Sequence, residues 1–125
     1  MEKNKPLTKA EYQIMDVLWN MPGQSGFISE ILNAIPYPKP AYTTLATFLK
    51  IMKKKGFVDS DMVNKMHRFT PLISRDEYTR YFMNNVKDTY FGGSLVSLVS
   101  FFAEKEKLTD EEADELIRLI KKNKS

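Results

Sequence analysis

The sequence of 125 residues predicts a mainly α-helical fold that contains one small antiparallel β-hairpin. Three observations lead to this fold class. Helix start signals, in which a Ser or Thr stands three residues before a Glu, occur at Thr8, Ser74 and Thr109. Apolar residues recur at helical spacing after each signal. Residues 57–72 instead form two runs rich in aromatic and β-branched residues, joined by a short polar turn near 64–65, as in a hairpin.

Composition excludes several classes of site. The hydrophobic fraction of 42% and the charged fraction of 28% are those of an ordinary soluble globular protein. The chain has no Cys and one His, which excludes disulfides, thiolate metal sites and multi-histidine metal centres. It also lacks paired carboxylates in an apolar setting, a nucleophile–base pair and a phosphate-binding loop. We therefore expect neither an enzyme nor a bound cofactor.

The start of the chain, residues 1–6, is polar and is not followed by an apolar segment. The most apolar stretch, Leu95–Ala103, is far shorter than the roughly 20 residues that span a bilayer. We therefore expect a cytoplasmic protein with neither a secretory signal nor a membrane insertion.

Two helices are predicted before residue 36. The first begins at the capping box of Thr8 and ends at Pro22–Gly23, with Trp19 on its inner face as a core residue rather than a ligand-stacking one. The second has Ser25 as its N-cap, carries apolar residues on one face and is stopped by Pro36.

The third helix is predicted from Pro40, which suits a first helical position, to Lys55, where Gly56 can end it. One face of this helix is apolar, formed by Leu45, Phe48, Leu49 and Met52. The opposite face is small, polar and basic, formed by Thr43, Ala46, Thr47, Lys50, Lys53 and Lys54.

Three helices followed by a two-stranded hairpin is the order of a winged helix-turn-helix, in which the third helix lies in the major groove of DNA. Hydroxyl groups and small side chains can meet base edges there, and lysines can neutralise phosphates. We therefore expect helix 40–55 and the wing 57–72 to contact double-stranded DNA. The predicted contact residues are Tyr42, Thr43, Thr44, Ala46, Thr47, Lys50, Lys54, Lys65 and Arg68.

The distribution of charge favours the same half of the chain. Residues 1–75 hold 11 Lys and Arg against 6 Asp and Glu, a balance of +5. Residues 76–125 hold 8 against 10, a balance of −2. Only the first part is therefore expected to meet a polyanion. A solvated helix end is the more ordinary interpretation of Lys53–Lys55 alone. His67 is expected to be a half-buried packing residue, although a phosphate contact or a pH-sensitive group is the alternative.

The winged helix-turn-helix is assigned to residues 1–74 and a helical dimerisation region to residues 75–125. A fifth helix, Leu95–Lys105, is apolar almost all round and must be covered on several sides. Three helices in 50 residues are too few to bury an adequate core, so we expect a homodimer about a two-fold axis. Packing of the fifth helix on the winged part of its own chain is the alternative. The predicted dimer residues are Tyr90, Leu95, Leu98, Val99, Phe102, Leu116, Ile117 and Ile120.

Residues 40–58 resemble the recognition helix of the penicillinase repressor family of bacterial winged-helix repressors. The family pattern there is roughly Thr-aliphatic-x-Thr-x-Leu-x-Arg-Leu-x-x-Lys-Gly. Residues 7–19 resemble the opening helix of the family, and residues 90–99 resemble the start of its dimerisation region. The resemblance implies a homodimer that binds a palindromic operator and blocks transcription. A membrane sensor protease is a further partner that it implies.

Carried over by position, Thr44, Thr47 and Lys55–Gly56 match the helix pattern of the family. Thr43 and Ala46 fall on its variable, groove-facing positions, which the resemblance implies tune the operator sequence. A winged helix can also bind another protein, and a protein-interaction module without sequence-specific DNA binding is the alternative function.

Two positions depart from the family. The Arg of the helix pattern falls on Ile51, and although Lys50 can supply the charge, it lacks the bidentate geometry of Arg. The Asn-Phe pair that is cut in antibiotic-responsive members falls on Phe101–Phe102. The missing Asn argues against induction by that cleavage. Without Cys, the chain also cannot sense copper as the copper-responsive members do.

Overall fold

The computed structural model describes residues 5–124, so the first four residues of the polar start lie outside the described part of the chain. The mainly α-helical fold with a small antiparallel sheet is confirmed. The elements are α1 (Lys9–Asn20), β1 (Gly26–Phe27), α2 (Ile28–Ala34), α3 (Tyr42–Lys54), β2 (Val58–Val63), β3 (Met66–Pro71), α4 (Arg75–Phe91), α5 (Leu95–Lys105) and α6 (Asp110–Asn123). Within residues 5–124, no helix combines the length and the apolar content needed to cross a membrane.

The chain divides into two compact units inside α4. The first unit ends at Phe82 and the second begins at Met83, whereas the sequence placed the division between residues 74 and 75. The first turns of α4 thus belong to the first unit.

Helix α1 begins at the predicted capping box. The Glu11 amide donates to Thr8 Oγ1 at 3.2 Å, and the Thr8 amide donates to Glu11 Oε1 at 2.9 Å. The helix ends at Asn20, before a single 3-10 turn over Pro22–Gln24. The two capping-box bonds thus satisfy the Thr8 and Glu11 amides, which belong to the set that every helix start leaves without a partner inside the helix.

The prediction that Ser25 caps the second helix is wrong. Gly26 and Phe27 are extended and pair with β3, opposite Phe69 and Arg68 respectively. Helix α2 therefore starts only at Ile28, and the sheet has three strands in the order β1-β3-β2. A strand of two residues is too short to show any alternation of apolar and polar side chains.

Helix α3 begins at Tyr42, two residues after the predicted start at Pro40. The backbone of Ala41 is extended, and this residue is the N-cap. The preceding turn is tied to the end of α2, because the Lys39 ammonium donates to the carbonyls of Leu32, Asn33 and Ile35 at 2.9, 2.9 and 2.6 Å. This cation stabilises carbonyls that α2 leaves unpaired.

The end of α3 and the hairpin follow the sequence prediction. Gly56 has a φ of 86°, the left-handed conformation expected of a residue just past a helix. Strands β2 and β3 pair from Val58 opposite Pro71 to Val63 opposite Met66. Asn64 and Lys65 both have positive φ, which matches a two-residue turn that follows the twist of the strands.

One hydrophobic core holds the first unit together, and Trp19 belongs to it as predicted. The indole N–H of Trp19 donates to the Ile73 carbonyl at 3.0 Å. Core side chains come from α1 to α4 and the sheet. They are Leu7, Ile14, Met15, Leu18, Trp19, Ile31, Ile35, Leu45, Leu49, Met52, Phe57, Val58, Phe69 and Tyr78.

Tyr78 and Arg75 attach the start of α4 to α1. The Tyr78 hydroxyl accepts a hydrogen bond from the Leu7 amide at 2.8 Å, and burial raises its pKa. The Arg75 guanidinium lies 2.7 Å from a carboxylate oxygen of Asp16 and stacks over the Trp19 ring at 4.9 Å. These contacts explain why the first unit extends beyond residue 74.

The second unit holds the rest of α4 with α5 and α6. Gly92 and Gly93 have positive φ and end α4, as predicted. Helix α5 starts at the N-cap Ser94, and α6 starts at the predicted capping box of Thr109 and Glu112.

A buried ion pair joins the start of α1 to the end of α3. The Lys55 ammonium lies 2.8 Å from Glu11 Oε1, and Glu11 is only 2% exposed. The interpretation of Lys55 as a solvated helix end is therefore wrong. Burial raises the pKa of Glu11, but the hydrogen bonds from Lys55 and Thr8 together outweigh burial and lower it below 4.5. This stabilisation is present above about pH 4.5 and is lost as the pH falls through the lowered value.

We predict that Lys55→Met lowers the free energy of unfolding by about 3–5 kcal/mol at neutral pH, because it leaves a buried carboxylate without its cation. Urea denaturation measures this change. The matched control is Lys53→Met, a substitution of an exposed lysine in the same helix, which should cost less than about 1 kcal/mol.

In the double variant Glu11→Gln with Lys55→Met, Gln keeps the helix cap and no charge is buried. This variant should recover most of the lost stability. Equal losses from Lys55→Met and Lys53→Met would show that the pair is not a buried charge interaction.

Candidate nucleic-acid interface

Helix α3 presents seven of the nine predicted DNA-contact residues on one side. Its other side is anchored in the core by Leu45, Leu49 and Met52. Six of the seven are exposed, and Ala46 is half-buried beside them. The exposed ones are Tyr42, Thr43, Thr44, Thr47, Lys50 and Lys54.

The lysines of α3 have different environments. Lys50 and Lys54 form no ion pair with any residue from 5 to 124. Lys53 points towards β2, where its ammonium donates to Ser60 Oγ at 2.8 Å and lies 4.0 Å from Asp59. The free positive charge on the exposed side of α3 is thus concentrated at Lys50 and Lys54.

The Thr47 hydroxyl is already used as a donor. It donates to the Thr43 carbonyl at 3.0 Å, one turn earlier in α3. A hydroxyl has one proton, so in this rotamer Thr47 offers an outside group only its lone pairs and its methyl. That chemistry suits a base amino group or a thymine methyl better than a phosphate oxygen.

The two predicted contact residues of the wing, Lys65 and Arg68, differ in whether a carboxylate is paired with them. Lys65 is exposed at the turn between β2 and β3. Arg68, by contrast, is paired with Asp61 on the neighbouring strand, with Arg68 Nη2 2.9 Å and Nε 3.4 Å from the carboxylate oxygens. The guanidinium of Arg68 is therefore engaged by Asp61 on the surface of the wing.

Tyr42 and Lys65 both line one cleft of about 180 Å³. The cleft lies between the first residues of α2, the start of α3 and the turn of the wing. His67 also lines this cleft and is exposed, so the expectation of a half-buried packing residue is wrong. Phe69, two residues along the same strand face, fills the core instead, and His67 lies beyond the core edge. The cleft is lined by Phe27, Ile28, Ser29, Tyr42, Lys65, Met66 and His67.

Sequence reasoning missed two partners at this interface. The Asp61–Arg68 pair had a signal, because a two-residue turn at 64–65 sets a register that places residue 61 opposite residue 68. The three bonds of Lys39 to the end of α2 had no such signal, because nothing in the local pattern distinguishes a capping lysine from a solvated one.

In the second unit, seven of the eight predicted dimer residues are exposed. Leu98 differs from them, since it is 8% exposed and is already covered within the chain. Tyr90 is 76% exposed. The other exposed ones are Leu95, Val99, Phe102, Leu116, Ile117 and Ile120.

Comparison with known proteins assigns both units to one group. Residues 7–122 match the family described as Penicillinase repressor. The methicillin resistance regulatory protein MecI of Staphylococcus aureus strain N315 is 27% identical over 121 residues, covering 96% of this chain and 97% of that protein. The protein of the same name from Mammaliicoccus sciuri is 28% identical over 123 residues, covering 96% and 97%. The penicillinase repressor of Bacillus licheniformis is 26% identical over 128 residues, covering 100% and 97%.

We predict that Asp61→Asn strengthens binding to duplex DNA, because it releases the charge of Arg68 while preserving the shape of its partner. The slope of log affinity against log salt should steepen by about 0.9 per chain, the effect of one added phosphate contact. Fluorescence anisotropy over a salt series measures this slope. The control is Asp61→Asn with Arg68→Gln, which should return the slope to the wild-type value. A gain that survives in this double variant would show that Arg68 is not its source.

Proposed function

The chain belongs to the penicillinase repressor family, and from this premise we propose that it is a homodimeric repressor that binds a palindromic DNA operator. Members of this family are regulators rather than enzymes. In this proposal, the first unit, which ends at Phe82, binds DNA through α3 and the wing, and the second unit, which begins at Met83, holds the two copies together.

The observation that carries the proposal is the exposed side of α3. Its core side is fixed by buried Leu45, Leu49 and Met52, so the opposite side is presented on a rigid element. That side combines small and hydroxyl-bearing residues at its start with two lysines farther along that form no ion pair within residues 5–124. A helix in a major groove needs small or polar side chains near the bases and cations near the phosphates. The lysine charges also provide salt-dependent attraction to any duplex.

The homodimer is supported by the apolar surface of the second unit. Large apolar side chains from the end of α4, from α5 and from α6 remain exposed, and contiguous surfaces of this kind mark protein interfaces. A second copy provides a self-complementary partner and sets the spacing of two half-sites. The exposed large side chains include Tyr90, Leu95, Val96, Val99, Phe101, Phe102, Leu116, Ile117, Leu119 and Ile120.

Induction by cleavage of an Asn-Phe pair is not part of the proposal. Phe101 stands where the family has Asn, and it lies in the middle of α5 with its ring 5.6 Å from that of Phe91. A helical bond is a poor protease substrate until its helix opens. The Phe101–Phe102 position therefore gives no support to a partnership with a membrane sensor protease.

The experiment that tests the function is a gel shift of the full chain with the DNA upstream of its own gene, at two salt concentrations. Preference for this DNA over a random duplex, with a steep loss of affinity at higher salt, supports the repressor. Equal binding to both duplexes, or no binding, contradicts operator recognition and favours a protein-interaction module.

We predict that Thr47→Ala and Lys50→Ala each weaken operator binding by about 1–3 kcal/mol if they reach base edges. Fluorescence anisotropy with the operator duplex measures the effect. Lys53→Ala is the matched control, because its ammonium is directed at β2 and its loss should leave affinity nearly unchanged. Unchanged affinity in the first two variants would remove Thr47 and Lys50 from the interface.

We also predict that Val99→Asp disrupts the dimer, because it places an unpaired charge in the proposed apolar interface. Sedimentation velocity of the full chain should show a shift towards monomer. Ser100→Asp adds the same charge at the next, exposed and polar position of α5, and it should leave the dimer intact. A normal dimer of the Val99→Asp variant would show that α5 is not at the interface.

A further inference from the structure

The cleft between the start of α3 and the wing is lined by four exposed polar side chains, of which two are predicted DNA contacts and two are not. Ser29, Tyr42, Lys65 and His67 line it, and each comes from a different part of the first unit. Its volume of about 180 Å³ is below the roughly 300–1,000 Å³ of pockets that take drug-sized ligands. Space and chemistry suit one small anionic group better than an effector molecule.

We propose that this cleft receives one backbone phosphodiester of bound DNA, and that His67 in its protonated form contributes a charge to that contact. The proposal rests on the proposed DNA-binding function. The Lys65 ammonium supplies a fixed positive charge, and the hydroxyl groups of Ser29 and Tyr42 are donors of the kind that bind phosphate oxygens. Tyr42 belongs to α3 and Lys65 to the wing, so a phosphate held here would lie between the major-groove helix and the hairpin.

His67 gives this contact a dependence on pH. Histidine is the side chain whose charge changes between about pH 5 and 8. A protonated imidazole adds one positive charge to the cleft beside Lys65, and a bound phosphate supplies a negative charge that attracts both. DNA binding and protonation of His67 should therefore favour each other, because such coupling is reciprocal.

The other charged groups on the elements around the cleft do not cancel this effect. The carboxylate of Glu30 on α2 accepts from the Phe27 amide at 2.9 Å and so points at the start of its own helix, and Glu30 does not line the cleft. Asp61 on β2 is paired with Arg68, and the alternation of side chains along β3 places Arg68 on the face opposite to His67. The residue directly across from His67 is Met62, which carries no charge. Lys65 is thus the charged side chain that shares the cleft with His67.

The test measures affinity of the full chain for a duplex at about pH 6 and about pH 8 over a salt series. At the lower pH, the wild-type slope of log affinity against log salt should be steeper by about 0.9 per chain, and over a fourfold change in salt this amounts to about 3.5-fold in affinity. His67→Gln should match the wild type at the higher pH and show no steepening at the lower. Met62→Gln, opposite His67 but outside the cleft, is the matched control and should keep the wild-type pH dependence.

A second readout uses the fact that His67 is the single histidine of the chain. Its imidazole resonance should titrate at higher pH when DNA is bound than when the protein is free. Wild-type slopes that do not change with pH, or a pH effect that persists in His67→Gln, overturn the proposal. A resonance that inorganic phosphate moves at matched ionic strength, with no further effect of DNA, overturns the assignment to the DNA backbone. Every duplex carries phosphates, so both measurements can be made with a random duplex. They therefore test the phosphate contact even if the chain shows no preference for an operator and the proposed function is wrong.

Discussion

The placement of α3 depends on the buried ion pair between Glu11 and Lys55. The Glu11 carboxylate accepts from the Thr8 amide, which starts α1, and from the Lys55 ammonium, which follows the last residue of α3. One carboxylate therefore connects the start of the first helix to the end of the helix that presents the candidate DNA-reading face. A buried pair of this kind is weak evidence for stability, but it penalises any arrangement that separates its members. The apolar core tolerates small shifts of α3, whereas a charge without its partner does not.

The same constraint distributes the lysines of α3 and its cap among separate roles. Lys55 holds the helix in place, Lys53 is bound to β2, and Lys50 and Lys54 remain available to a polyanion. Charge alone does not distinguish these four residues, because they lie within six positions of each other in the sequence. In the wing, Arg68 forms an ion pair with Asp61. Lys65 is therefore the exposed cation of the hairpin that is outside this pair. Contacts among protein side chains thus decide which of the many cations in the basic half remain available to a polyanion.

Much of the fold follows from local signals. The capping boxes at Thr8, Ser74 and Thr109 locate three helix starts because they satisfy backbone amides by short-range bonds. Errors arose where a distant partner decides the structure. Ser25 fails as a cap because β3 draws the next two residues into a sheet, and Lys55 and Arg68 were assigned to solvent or DNA because their carboxylates lie elsewhere in the chain. His67 is exposed, contrary to the local pattern, because its strand extends past the edge of the core, a limit set by tertiary packing.

We propose that two copies of α3, one from each chain of a homodimer, read DNA of two-fold symmetry. Hydroxyl-radical footprinting of the full chain on the DNA upstream of its own gene tests this claim most directly. The account predicts two equivalent protected tracts, related by a two-fold axis and separated by about one helical turn of 10–10.5 base pairs or a multiple of it. A single protected tract, or uniform protection along the duplex, would contradict it.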